Sequence, residues 1–175
     1  MNENICCVFG HRKIDITNNL RIKLYNIIEE LIVENKVDTF LLGSKSQFDD
    51  LCHQTISELK AFYPHIRRIY VRAQFPYIND NYMQFLLQNY EDTYYPENII
   101  KAGRFAYVER NYEMINRSKY CVVYFDENYV PTTGRRKQSS ELTNSIPESG
   151  TKIAFDYALK KGKIIINLFN EIKIF

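Results

Sequence analysis

The sequence predicts an α/β domain: a single doubly wound, mainly parallel Rossmann-like sheet of about five strands, with helices on both faces. Two observations carry this. Short apolar runs alternate along the chain with segments whose apolar residues recur every three or four positions. The apolar runs are continuous rather than alternating, as expected of strands covered on both sides by crossover helices.

The first run, Ile5-Cys6-Cys7-Val8-Phe9, reads as a buried strand closed by Gly10-His11-Arg12. Leu20, Leu24, Ile27, Ile28 and Leu31 then share one helical face, with Asp15 or Thr17 as the N-cap. Thr39-Phe40-Leu41-Leu42 is the second strand, stopped by Gly43. Phe48, Leu51, Cys52, Thr55, Ile56 and Leu59 line a second helix that Pro64 ends. Residues 66–71 are rich in β-branched side chains and form the third strand.

The stretch 76–96 has the weakest pattern, with a short helix over 79–88 and an edge strand over 92–95. Helical spacing returns over 103–117 through Phe105, Val108, Tyr112 and Ile115. Residues 120–125 are the clearest strand. Residues 126–149 are polar, contain Pro131, Gly134 and Pro147, and read as a long loop. A helix over 151–161 buries Ile153, Ala154, Tyr157 and Ala158, and Gly162 suits its C′ position. The last core strand is 164–168. With no internal repeat and no linker, 1–175 is read as one domain.

Composition narrows the function classes. A chain of 175 residues that is 45% hydrophobic can bury one core, and 14 Tyr with 11 Phe argue against disorder. The 23 basic and 21 acidic residues give a net charge of +2, so bulk charge does not point to nucleic acid. A local patch at Arg135-Arg136-Lys137 is the one exception, and it reads more simply as solvated loop. No apolar run approaches the roughly 20 residues of a membrane helix. Met1-Asn2-Glu3-Asn4 lacks the basic start of a signal peptide. Cys6, Cys7, Cys52 and Cys121 make no CxxC pair, which suggests a reduced, cytoplasmic protein. His53 and His65 are isolated, so neither a metal nor a cofactor is expected.

In doubly wound sheets, ligands bind beyond the carboxyl ends of the strands. Three loops at that end combine a glycine with hydroxyl or cationic groups: Gly10-His11-Arg12-Lys13, Gly43-Ser44-Lys45-Ser46 and Ser149-Gly150-Thr151. Glycine lets a ligand approach the backbone, and a helix start offers N–H groups to an anion. The expected ligand carries phosphate, most simply a nucleotide. GxGxxG and GxxxxGK[ST] are both missing, so neither a dinucleotide fingerprint nor a P-loop is present.

Individual residues allow two roles each. His11 would contact a base or phosphate, or act as an acid–base group, or else hydrogen-bond its own loop. Arg12 would neutralise phosphate or sit in solvent. Asp49 would hold a ribose hydroxyl or cap the second helix. Glu109 would orient a ribose or serve as a base, or pair with a neighbouring Arg. Asp126 would face the site or form a turn. Tyr77, Tyr82, Tyr90, Tyr94 and Tyr95 would stack on a base, form an interface, or simply pack.

These residues, in this order, resemble the SLOG superfamily, which unites the DNA-processing protein DprA with the LONELY GUY phosphoribohydrolases. Cys7-Val8-Phe9-Gly10-His11-Arg12 is similar to the "FxGHR" strand of its YpsA-like branch. The stretch from Gly43 to Asp49 resembles the second glycine-rich turn, and Phe48-Asp49 matches its end. Glu109-Arg110-Asn111-Tyr112-Glu113-Met114-Ile115 resembles the "ER(N/K)xxM" helix, and Ser149-Gly150-Thr151 the "GGT/SGT" phosphate turn. The resemblance implies a nucleotide site served by Arg110, and it is compatible with a homo-oligomer formed through helices flanking the sheet. The LONELY GUY motif PGGxGTxxE places its glutamate where this chain has Ala154.

Three functional readings follow. The first is a binding module that senses or sequesters a nucleotide or an ADP-ribose-like molecule. The second is an enzyme that cleaves a nucleotide N-glycosidic bond with Glu109 or another acid in place of the missing glutamate. The third is single-stranded DNA binding in the manner of DprA, which the near-neutral charge disfavours.

Overall fold

The computed structural model describes residues 4–43, 46–99, 102–130, 149–170 and 172–175. Its strands are β1 (Ile5–Gly10), β2 (Thr39–Leu42), β3 (Arg67–Val71), β4 (Asp92–Tyr94), β5 (Tyr120–Tyr124), β6 (Ile164–Asn167) and β7 (Ile172–Ile174). Its helices are α1 (Asn18–Val33), α2 (Gln47–Lys60), α3 (Asp80–Leu87), α4 (Ala106–Arg117) and α5 (Gly150–Lys160). The sheet runs β4-β3-β2-β1-β5-β6-β7. Every neighbouring pair is parallel except β6 and β7. The α/β, doubly wound class is therefore present, with seven strands rather than about five. The strand that sequence patterning missed is β7, whose three residues are too few to show a period.

Period-2 alternation divides the core. Cys6, Val8, Phe40, Leu42 and Val122 face a layer formed by α1 and α2, with Leu24, Ile28, Phe48 and Ile56. Cys7, Phe9, Leu41, Val71, Cys121 and Val123 face Met114 and Ile115 of α4 and Ala154 and Ala158 of α5. Each fully buried Leu, Ile or Phe stabilises by about 2 kcal/mol, so both layers contribute substantially. Adjacent cysteines serve opposite faces, and Cys7 Sγ meets Cys121 Sγ of the neighbouring strand at 3.5 Å.

Local chemistry sets the element ends. Thr17 rather than Asp15 caps α1, its Oγ1 accepting the Leu20 N–H at 3.1 Å. Ser46 caps α2 and Ser149 caps α5 in the same way. The segment expected to be helical over 103–117 opens with a 3-10 turn at Gly103–Phe105, where Gly103 has φ 55°. Strand β5 stops at Tyr124 because the side chain of Asn167 takes over. Its Oδ1 accepts the Phe125 N–H at 3.0 Å, and its Nδ2 donates to the Phe125 carbonyl at 2.9 Å. Most of the expected 126–149 loop, at 131–148, lies outside the described residues. No helix of the described residues is long and apolar enough to cross a membrane.

Gly10 ends β1 against the ring of Phe48, which is fully buried in α2. A Cβ at this position would lie 2.5–2.8 Å from Phe48 Cδ1, Cγ and Cβ. Gly10→Ala is expected to cost about 1–3 kcal/mol through overpacking, read as a lower urea midpoint. Phe48→Leu in the same chain should recover part of that loss.

Candidate functional site

Strand order reverses between β1 and β5: from β1 the chain builds outward through β2 to β4, then returns to place β5 on the other side. Their carboxyl ends form the switch point, where a crevice opens in sheets of this kind. Helices α4 and α5 run back against parallel strands, so their first turns lie at this same end.

His11 occupies the switch point. It is only 1% exposed. Its backbone N–H donates to the Tyr124 carbonyl at 3.2 Å, which ties the end of β1 to that of β5. The Asp126 backbone N–H donates to Nε2 at 2.9 Å. Nε2 also lies 3.2 Å from the Asp126 carbonyl oxygen, so both polar backbone groups of Asp126 meet this one ring nitrogen. Nδ1 is buried and has no hydrogen-bond partner among the described residues. Tyr129 stacks on the imidazole with centroids 3.8 Å apart. Burial lowers the His11 pKa from its ordinary 6.5, against the opposing pull of the Asp126 backbone and charge. The ring is thus held neutral and stacked on Tyr129 at the carboxyl end of the sheet. The Asp126 carboxylate itself serves a turn, its Oδ1 accepting the Asn128 N–H at 2.9 Å.

Around β2 the predicted residues gather differently. Arg110 reaches from α4 over the end of the sheet and is 6% exposed. Its Nη1 donates to the carbonyl of Gly43 and to that of Val71, the latter at 3.2 Å. Its Nε donates to Asn111 Oδ1 at 3.0 Å. Asp49 lies buried in the first turn of α2, where its Oδ2 accepts the Ser46 hydroxyl at 2.5 Å. Burial raises the Asp49 pKa, resisted by Ser46, by the Arg110 charge and by the Gly43 backbone. Gly43 is needed because a Cβ there would run into the Arg110 guanidinium. Gly10 and Gly43 make room for the protein's own side chains, Phe48 and Arg110. The charges of Arg110 and Asp49 act on each other at the strand ends.

The remaining expected residues are spread along the same edge. Ser149 Oγ accepts the Lys152 N–H at 3.1 Å. Gly150 begins α5 with nothing among the described residues within 4 Å of a Cβ placed there, and Thr151 is buried. Glu109 sits half-buried in the first turn of α4, while its neighbour Arg110 reaches the Gly43 and Val71 carbonyls. Arg12 is exposed, and its carbonyl accepts the Gln47 N–H at 3.0 Å. Ser44 lies outside the described residues. Ala154 is 1% exposed and packs in the layer of Met114, Val123 and Phe125, so this position faces the core. Among the described residues, no three His, Cys, Asp or Glu side chains gather as a metal site requires.

Two residues escaped sequence reasoning. Tyr129 carries no signal in its local pattern. Arg72 does carry one: it directly follows a core strand at its carboxyl end. Its loop lacks the glycine that marks the other strand-end loops.

A neutral buried histidine makes stability depend on pH. The unfolded chain binds the proton first, near 6.5, so the stability contributed by His11 is complete above that value. It is lost as the pH falls from there through the lower folded value. The urea midpoint should therefore drop between pH 7 and 5, and His11→Gln should flatten that slope.

Neither a protein-family model nor a curated protein matches the chain.

Proposed function

We propose that the chain is a SLOG-type binding module that senses or sequesters a nucleotide or an ADP-ribose-like molecule at the carboxyl edge of its sheet. The observation that carries this reading is His11. A ring nitrogen that is buried without a hydrogen-bond partner is costly, and His11 Nδ1 sits at the switch point of a doubly wound sheet. A polar group of the ligand supplies the missing partner. The first turn of α5, Ser149-Gly150-Thr151, lies at the same end and presents backbone N–H groups suited to phosphate.

Binding without turnover is favoured over glycosidic cleavage. The glutamate that the LONELY GUY motif would place at position 154 is here an alanine sealed against Phe125 and Met114. A carboxylate there would face the core rather than a ligand.

Proton NMR of the protein mixed with AMP, ADP-ribose and NAD, following the anomeric signals over hours, tests the reading. Broadened and otherwise unchanged ligand signals are expected, with His11→Ala weakening binding at least about tenfold, roughly 1.4 kcal/mol. Free base and ribose phosphate appearing in the spectrum, and stopping in Glu109→Gln, would make the protein a hydrolase instead. Ligands that neither broaden nor decay would remove the nucleotide reading for these compounds.

A further inference from the structure

We propose that Arg72 forms an anion-binding subsite on the carboxyl edge of the sheet, taking a phosphoryl group of the ligand through its Nε–H. The proposal rests on the nucleotide reading and names the cation that meets the ligand's charge.

Arg72 follows β3 directly, and its backbone N–H donates to the Tyr94 carbonyl at 2.9 Å, so the strand fixes its position. The residue is 7% exposed. Nη1 donates to the Phe75 carbonyl at 2.5 Å and approaches that of Pro76 at 3.5 Å. Phe75 holds a left-handed φ of 58°, which a bulky residue adopts only under local strain. That bend folds the loop back onto the guanidinium. Nε, by contrast, is buried and has no acceptor among the described residues.

The electrostatic surroundings are equally incomplete. The ionisable groups that bear on Arg72 are Tyr70, Tyr82 and Tyr95, all phenols. The Tyr95 ring lies 5.9 Å from Cζ, near enough for its face to attract a cation but unable to neutralise it. The contrast with Arg110 is direct. The Nε and Nη1 of Arg110 meet Asn111, Gly43 and Val71, and Asp49 balances its charge. Arg72 has neither the full set of acceptors nor a carboxylate among the described residues. A buried guanidinium is stable only when both are supplied. A phosphoryl oxygen supplies both at once, as an acceptor and as a negative charge.

The test follows the Arg72 Nε–H signal in ¹⁵N NMR spectra of the full chain, assigned by through-bond connectivity, as sodium pyrophosphate, AMP and adenosine are added. Pyrophosphate and AMP should move the signal, and adenosine should leave it in place. Arg72→Gln should weaken AMP at least tenfold. Arg72→Lys, which keeps the charge but lacks Nε–H, should weaken it less than Arg72→Gln. If a variant fails to fold, the wild-type signal decides alone. AMP binding with the Arg72 signal unmoved would overturn the subsite and leave the nucleotide reading intact. A response to pyrophosphate with no binding of AMP, ADP-ribose or NAD would uphold the anion subsite and remove the nucleotide reading. A signal indifferent to all three additions overturns the proposal.

Discussion

The guanidinium of Arg110 is the fastening on which the carboxyl edge depends. It is rooted in α4 on one face of the sheet, yet its charge is balanced by Asp49 of α2 on the other. Between them its N–H groups hold the carbonyls where β2 and β3 end. A cation withdrawn from water is tolerable only with such a full complement of acceptors. The glycine at position 43, the inward carboxylate at 49 and the hydroxyl at 46 are then consequences of one buried charge. Removing any of them disturbs both helical layers together.

The same edge shows a graded use of polar groups. Near β2 the buried charge finds its acceptors and its carboxylate within the protein. At β1 and β3, on either side, His11 and Arg72 each retain a buried nitrogen with no hydrogen-bond partner among the described residues. Strand spacing of about 4.8 Å puts the ends of β1 and β3 about 10 Å apart, with the Arg110 fastening between them. A centre paired from within and flanked by two unpartnered nitrogens holds its polar groups in place. That preorganisation is what binding sites on rigid elements require.

Much of the fold was legible because burial is written locally. Leu20, Leu24 and Ile28 declare a helical face by spacing alone, and Ile5 to Phe9 declare a covered strand by being continuously apolar. Thr17 and Gly162 could be placed as caps because the groups they satisfy lie within a few residues. The site was less legible, and for a physical reason. Arg110 is separated by 67 residues from the Gly43 carbonyl it holds, and Asn167 by 42 from the Phe125 backbone it bridges. No local pattern encodes such partners. The glycines carry a second constraint that is invisible without the fold: Phe48 presses on Gly10 and Arg110 on Gly43. Arg72 follows a strand at its carboxyl end, but its loop carries no glycine to mark it.

The central position of β1 also dictates an order of assembly. Cys7 pairs with Leu41 on one side, a nearby partner, but with Cys121 on the other, 114 residues away. During synthesis β1 to β4 can associate while the other edge of β1 stays bare. That edge is hydrophobic and unpaired until β5 emerges, the kind of surface that invites pairing with a second chain. The step that closes the switch point is therefore also the step that ends this exposure. The strand pairing that brings His11 to Asp126 doubles as the chain's safeguard against aggregating before it is complete.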